Sequence, residues 1–201
     1  MPVVDFEKME RSIFNLLKSL LPEELLYHDL AHTANVAKAA LRLAKLEGLS
    51  THETMLLCTA VYFHDSGFLV QYHQNERFGM KLAQNKLEDY GYTPTEINII
   101  SNIIAATALD VEPVTVLEKI MCDADHDYLG RADYNNVAKK LRVEMENMGR
   151  IFTDIEWIDF QLNFLENQHR YHTETAQNIR DSGKKIRIQS LKNEKEALVD
   201  A

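Results

Sequence analysis

Glycine and proline are scarce, with 7 and 4 in 201 residues. That leaves few places for the close turns of an all-β fold. Cysteine is scarcer still. Cys58 and Cys122 are the only two, which excludes a disulfide framework and suits a reducing cytosol. No stretch approaches the ~18 uninterrupted apolar residues of a membrane-spanning helix. The opening MPVVDFEKMERS carries acids early and no basic segment ahead of an apolar run, which argues against a secretory leader. A cytoplasmic protein without a membrane partner is the expectation. Basic residues are outnumbered 22 to 31, for a net charge of −9. Bulk charge therefore excludes a protein that coats nucleic acid or anionic lipid. A phosphorylated ligand would require a local source of positive charge, such as a metal ion.

What is present is ordinary globular material, 45% hydrophobic and 26% charged, at a length that suggests one domain. Apolar residues recur at helical spacing. Phe6, Met9, Ile13, Leu16, Leu17 and Leu20 form one stripe, and Val36, Ala40, Leu43 and Ala44 another, stopped by Gly48. Three capping boxes announce helix starts: Ser50 with Glu53, Thr93 with Glu96 after which Pro94 opens the turn, and Thr153 with Glu156. Further helices are expected over about 74–90, 114–126 and 130–148, and one long helix from 153 to about 181. The fold class is all-α, a single-domain helical bundle. No repeat and no dividing linker is visible.

Three places carry chemistry. His28 and His32, in YHDLAHT, are four apart and share a helix face. His64 and Asp65 end an apolar helical run, where the backbone leaves helical geometry and both side chains can reach one site. Asp123, Asp125, His126 and Asp127 follow a second apolar run. Burying the His64–Asp65 pair without a partner would be costly. Imidazole and carboxylate together suit Mn, Fe, Co, Ni, Mg or Zn. Two His and two Asp would bring a divalent ion near neutrality and leave octahedral positions for water and substrate.

This ordered set resembles the HD-domain superfamily of metal-dependent phosphohydrolases, whose ligands run H…HD…D through a helical bundle. The flanking text, YHxxxHT, the EGLS turn, FHDxGF, DAD…YLGR and FLxxHxYHTxTA, is similar to a subgroup of small bacterial HD-domain proteins over residues 25–192. The resemblance implies an HD-type bundle with an N-terminal helix (1–24) packed on it and a frayed tail (193–201). It implies one divalent metal on His32, His64, Asp65 and Asp125, with Asp123 as fallback for the last. The opening motif is also similar to that of class I cyclic-nucleotide phosphodiesterases, which implies His28 as proton donor. Catalysis is thus expected from His28 and Asp65. Only His73 lies between the HD pair and the last Asp, which favours one metal over two. His126 has no assigned role.

The resemblance implies hydrolysis of a phosphate ester of a small substrate, nucleotides leading, by attack of metal-bound hydroxide. Two alternatives stay open: a cyclic-nucleotide or cyclic-dinucleotide phosphodiesterase, and a non-catalytic regulator that binds nucleotide and metal. HD relatives are often dimeric, so a homodimer is also envisaged. Ligating imidazoles need a partner on their other nitrogen, and Asp29, Glu76 and Asp123 are candidates, or else solvated acids. On the final helix His169, Thr173, Gln177, Arg180 and Lys184 recur every three or four residues. His169, Arg180 and Lys184, with Arg131, are either a grip for phosphate or a solvated polar face. Trp157 and Tyr171 either stack on a base or belong to the core.

Overall fold

The computed structural model describes residues 3–200. Met1, Pro2 and Ala201, at the outer ends of the expected first and last segments, lie outside the described residues. Helices account for all regular structure among them, as the scarcity of turn residues predicts. The chain gathers into two compact units, residues 1–125 and 126–201.

In the first unit the helices are α1 (Phe6–Leu20), α2 (Leu30–Leu46), α3 (Thr51–Phe63), α4 (Asn75–Lys86), α5 (Pro94–Ala105) and α6 (Val116–Asp125). Short 3-10 turns follow α3 (His64–Leu69) and α4 (Leu87–Tyr90). The capping boxes of α3 and α5 form as expected, each hydroxyl receiving the backbone N–H three residues on. α1 is amphipathic and buries Met9, Ile13 and Leu17. α3 is apolar around its circumference, and such a helix has to be enclosed. It is the central element, touching α1, α2, α4, α5 and α6. Its Leu57, Ala60, Val61 and Phe63 are sealed from solvent, and each large side chain contributes about 1.5–3 kcal/mol by burial.

The second unit holds a 3-10 turn (Asp127–Gly130), α7 (Tyr134–Asn147), α8 (Asp154–Asn163) and α9 (Glu174–Val199). The third capping box, Thr153 with Glu156, starts α8. The expected continuous helix from 153 to 181 is corrected. α8 ends in a π-helical turn, Phe164–Gln168, and His169 is extended. Thr173 then caps a new helix by receiving the Ala176 N–H. No acid stands at 176 to complete a capping box, so this start is silent in the sequence. α9 continues to Val199, through the segment expected to fray. Its Lys195 ammonium reaches Asp159 on α8 at 2.5 Å, and Leu191 is buried.

Candidate metal centre

α2 begins at Asp29, whose carboxylate receives the backbone N–H of His32 at 2.7 Å. The cap fixes the first turn of α2, and His32 projects from it, buried. At the end of α3 the chain tightens from α to 3-10 geometry at His64. Consecutive residues then diverge less from a common direction than in an extended exit, and His64 and Asp65 reach the same point. α6 packs on α2, and its last residue, Asp125, completes the approach.

His32 Nε2 stands 3.3 Å from Asp65 Oδ2 and 3.0 Å from Asp125 Oδ1. His64 Nε2 stands 3.0 Å and 3.7 Å from the same two oxygens. Donor atoms of His32, His64 and Asp125 all lie within 4.8 Å of one another. The four expected ligands, from α2, the α3 terminus and α6, therefore converge.

The contacts are not ordinary hydrogen bonds. His64 Nδ1 donates to the Val61 carbonyl at 2.7 Å. In the neutral ring that leaves Nε2 with only a lone pair, aimed at carboxylate lone pairs. His32 Nε2, His64 Nε2 and Asp65 Oδ2 are enclosed, and none has a partner in hydrogen-bond geometry. Something positive has to lie among them, a cation or added protons. Without a metal, protons serve. Burial opposes charge on His32, but its contacts with Asp125 and Asp65 prevail and raise its pKa to about 9. Burial likewise opposes charge on His64, yet Asp65 and Asp125 lift it well above the ordinary imidazole value. Asp65, against the same burial, is held far below the usual carboxylate range by His64 and His32. The spacings also suit one ion. Two donors each about 2.1 Å from a divalent cation are roughly 3.0 Å apart at octahedral angles and roughly 3.4 Å at tetrahedral ones.

Around these four, the structure redistributes the expected supporting roles. Glu76 lies half-buried in the first turn of α4. Its neighbour Asn75, which was not expected to support the centre, is buried and directs its amide at Asp65 Oδ1, 3.5 Å away. Asn75 is brought there by backbone proximity. A Cβ on Gly67 would lie 1.7 Å from the Asn75 carbonyl oxygen, and one on Gly79 would lie 2.7 Å from that of Phe63. The 3-10 turn and α4 thus meet main chain to main chain. Asp123 is fully buried on α6; two residues from Asp125 on a helix, it faces elsewhere.

His28 stays beside the centre, its ring 5.8 Å from that of His32 and packed at a tilt against Phe68, 4.3 Å away. His73 is exposed, 5.4 Å from Tyr72.

Arg131, His169, Arg180 and Lys184 all belong to the second unit. Arg180 forms a forked pair with Asp127, 2.7 and 3.0 Å, and Arg131 pairs with Asp133. Lys184 donates to the His169 carbonyl at 2.7 Å, and burial lowers its pKa. The single polar face expected of the final helix is corrected: His169 precedes α9 and Thr173 caps it. His126 lies with its ring 5.2 Å from His169. Trp157 and Tyr171 are buried and take the core alternative.

No family model and no curated protein sequence matches the chain. Solved structures do. A predicted HD superfamily hydrolase from an uncultured Thermotogales bacterium is 17% identical, with TM-score 0.64 over 91% of this chain and 89% of that one. Bacillus subtilis YpgQ, solved in complex with ADP, is 18% identical, with TM-score 0.67 over 96% of both chains. A Lactobacillus plantarum protein is 17% identical, with TM-score 0.66 over 95% and 98%. The chain shares the helical fold of these three solved structures.

Proposed function

We propose that this protein is a metal-dependent phosphohydrolase that cleaves a phosphate ester of a small substrate, with nucleotides the favoured class. The observation that carries the reading is the convergence of His32, His64, Asp65 and Asp125 at 3.0–3.7 Å without hydrogen-bond geometry. These four would hold one divalent ion, Mn, Fe, Co, Ni, Mg or Zn. Such an ion supplies Lewis acidity toward a phosphoryl oxygen and acidifies water near neutral pH. The similarity in fold to a predicted HD hydrolase and to a protein solved with ADP supports the class of reaction and of substrate.

The chain's own residues supply position and protons. Asp65 sits between both imidazoles, its other oxygen facing Asn75, and its carboxylate can accept a hydrogen bond from attacking water. The water oxygen bonds to phosphorus, the ester P–O bond breaks, and the leaving oxygen takes a proton from His28. Tilted contact with Phe68 and edge contact with Tyr27 restrict that imidazole, and general acid catalysis requires a positioned donor.

Elemental analysis of the purified protein, followed by a panel of phosphomonoesters and cyclic nucleotides with Mn, Co, Ni and Mg, tests the proposal. One equivalent of metal and turnover of monoesters are expected, both lost in Asp125→Asn. Turnover confined to cyclic diesters would redirect it to phosphodiesterase activity. Metal and nucleotide binding without any turnover would make the protein a regulator instead.

A further inference from the structure

A run of rings leads away from the four converging donors. His28 is one ring step from His32, at 5.8 Å. Beyond it stand Phe68, 4.3 Å from His28 with planes 34° apart, and Tyr72, 5.5 Å from Phe68 and 6.4 Å from His28. Tyr27 closes another edge of His28 at 4.5 Å. Tyr27 and Phe68 are buried; Tyr72 is half-buried. Tyr72 therefore keeps part of its surface open while its ring adjoins aromatic neighbours.

The segment that presents Tyr72 joins the 3-10 turn after α3 to α4. Gln74 there has φ of +57°, the one non-glycine residue in the left-handed region among those described. Such a conformation costs free energy and persists where the surroundings impose it. The Gln71 amide donates to the His73 carbonyl within the same segment. The ring is held by a bent connection between fixed elements.

Direction supplies the remaining step, and it rests on the phosphohydrolase reading. With phosphate at the four donors and His28 protonating the leaving oxygen, the group attached to that oxygen extends past His28. Of the rings beside His28, Tyr27 and Phe68 are buried, and Tyr72 is the one that offers surface to that group. We infer that Tyr72, backed by Phe68 and His28, is a stacking surface for a planar ring in the leaving group. It selects base-bearing nucleoside phosphates over sugar phosphates of the same ester type. Stacking suits this task because every base has a π-face, and hydrogen-bond readout is not needed.

The test compares adenosine 5′-monophosphate with ribose 5-phosphate on the metal-loaded protein. The ratio of their kcat/KM values should fall about tenfold in Tyr72→Ala and in Tyr72→Leu, which keeps apolar bulk without a π-face, and persist in Tyr72→Phe. With Mg or Zn, the adenine protons should shift upfield in the NMR spectrum on binding to the wild type and not to Tyr72→Leu. An unchanged ratio in both ring-deleting variants would overturn the inference while metal-dependent turnover of both substrates left the phosphohydrolase standing. Absence of turnover for both substrates and for every other ester of the panel, with every metal, would refute the hydrolase reading itself, and the inference with it.

Discussion

The contact between Gly67 and Asn75 sets up a sharp test of how the centre is built. Replacing Gly67 with Ala places a methyl group 1.7 Å from the Asn75 carbonyl oxygen, 2.5 Å from its carbon and 2.9 Å from its Cα. Ordinary contact begins at about 3.5 Å, so the start of α4 has to retreat by about 2 Å. The obstacle is main chain, which cannot rotate away as a side-chain tip would. Overpacking costs ~1–3 kcal/mol and more where backbone has to move; the upper end, ~3 kcal/mol, applies here. With a urea slope of ~2 kcal/mol/M, the unfolding midpoint should fall by about 1.5 M. The same retreat withdraws the Asn75 amide from Asp65, so metal affinity measured by calorimetry should fall too. Gly48→Ala is the control. Gly48 has φ of +72°, and a methyl group there would meet no atom within 4 Å, so the variant should lose only ~1–2 kcal/mol from the left-handed backbone. A Gly67→Ala protein with the wild-type midpoint and wild-type metal affinity would refute the account of how α4 and the 3-10 turn after α3 are joined.

The metal-free protein should be pH-sensitive in a defined window. His32 is raised from 6.5 to about 9 in the folded state, so its stabilising contribution is complete below pH 6.5 and lost as pH rises through about 9. Urea midpoints of chelator-treated protein should fall across that window, and a flat profile would contradict the assignment. His28→Ala should keep one equivalent of metal and lose about 10²–10⁴-fold in kcat; loss of the metal would place His28 among the ligands instead. The Arg180–Asp127 pair joins α9 to the turn before α7, with both side chains largely enclosed. Arg180→Ala should therefore cost ~1–3 kcal/mol by taking the forked partner from an enclosed carboxylate that keeps Arg131 only at 4.0 Å, and adding Asp127→Ala should recover part of that. A double variant no more stable than the single would show that the stranded charge is not the cause.

Spacing along the chain was enough for the helices and for their punctuation. The stripe of α1, the stop at Gly48 and all three capping boxes are interactions between residues at most four apart, and such signals survive in sequence. The set His32, His64, Asp65 and Asp125 was legible for another reason: its ordered H…HD…D motif resembles that of a known family, which no helix signal could have supplied. Partners far apart in the chain could not be read this way. That Asn75 rather than Glu76 faces Asp65 depends on Gly67 letting two stretches of main chain meet. That Arg180 is engaged by Asp127, 53 positions earlier, depends on α9 starting at Thr173 without a full capping box. Tyr72 took its place beside His28 only through packing around the 3-10 turn after α3. Local hydrogen bonds and periodicity set where helices begin and end; only close packing between them decides which side chains share a site.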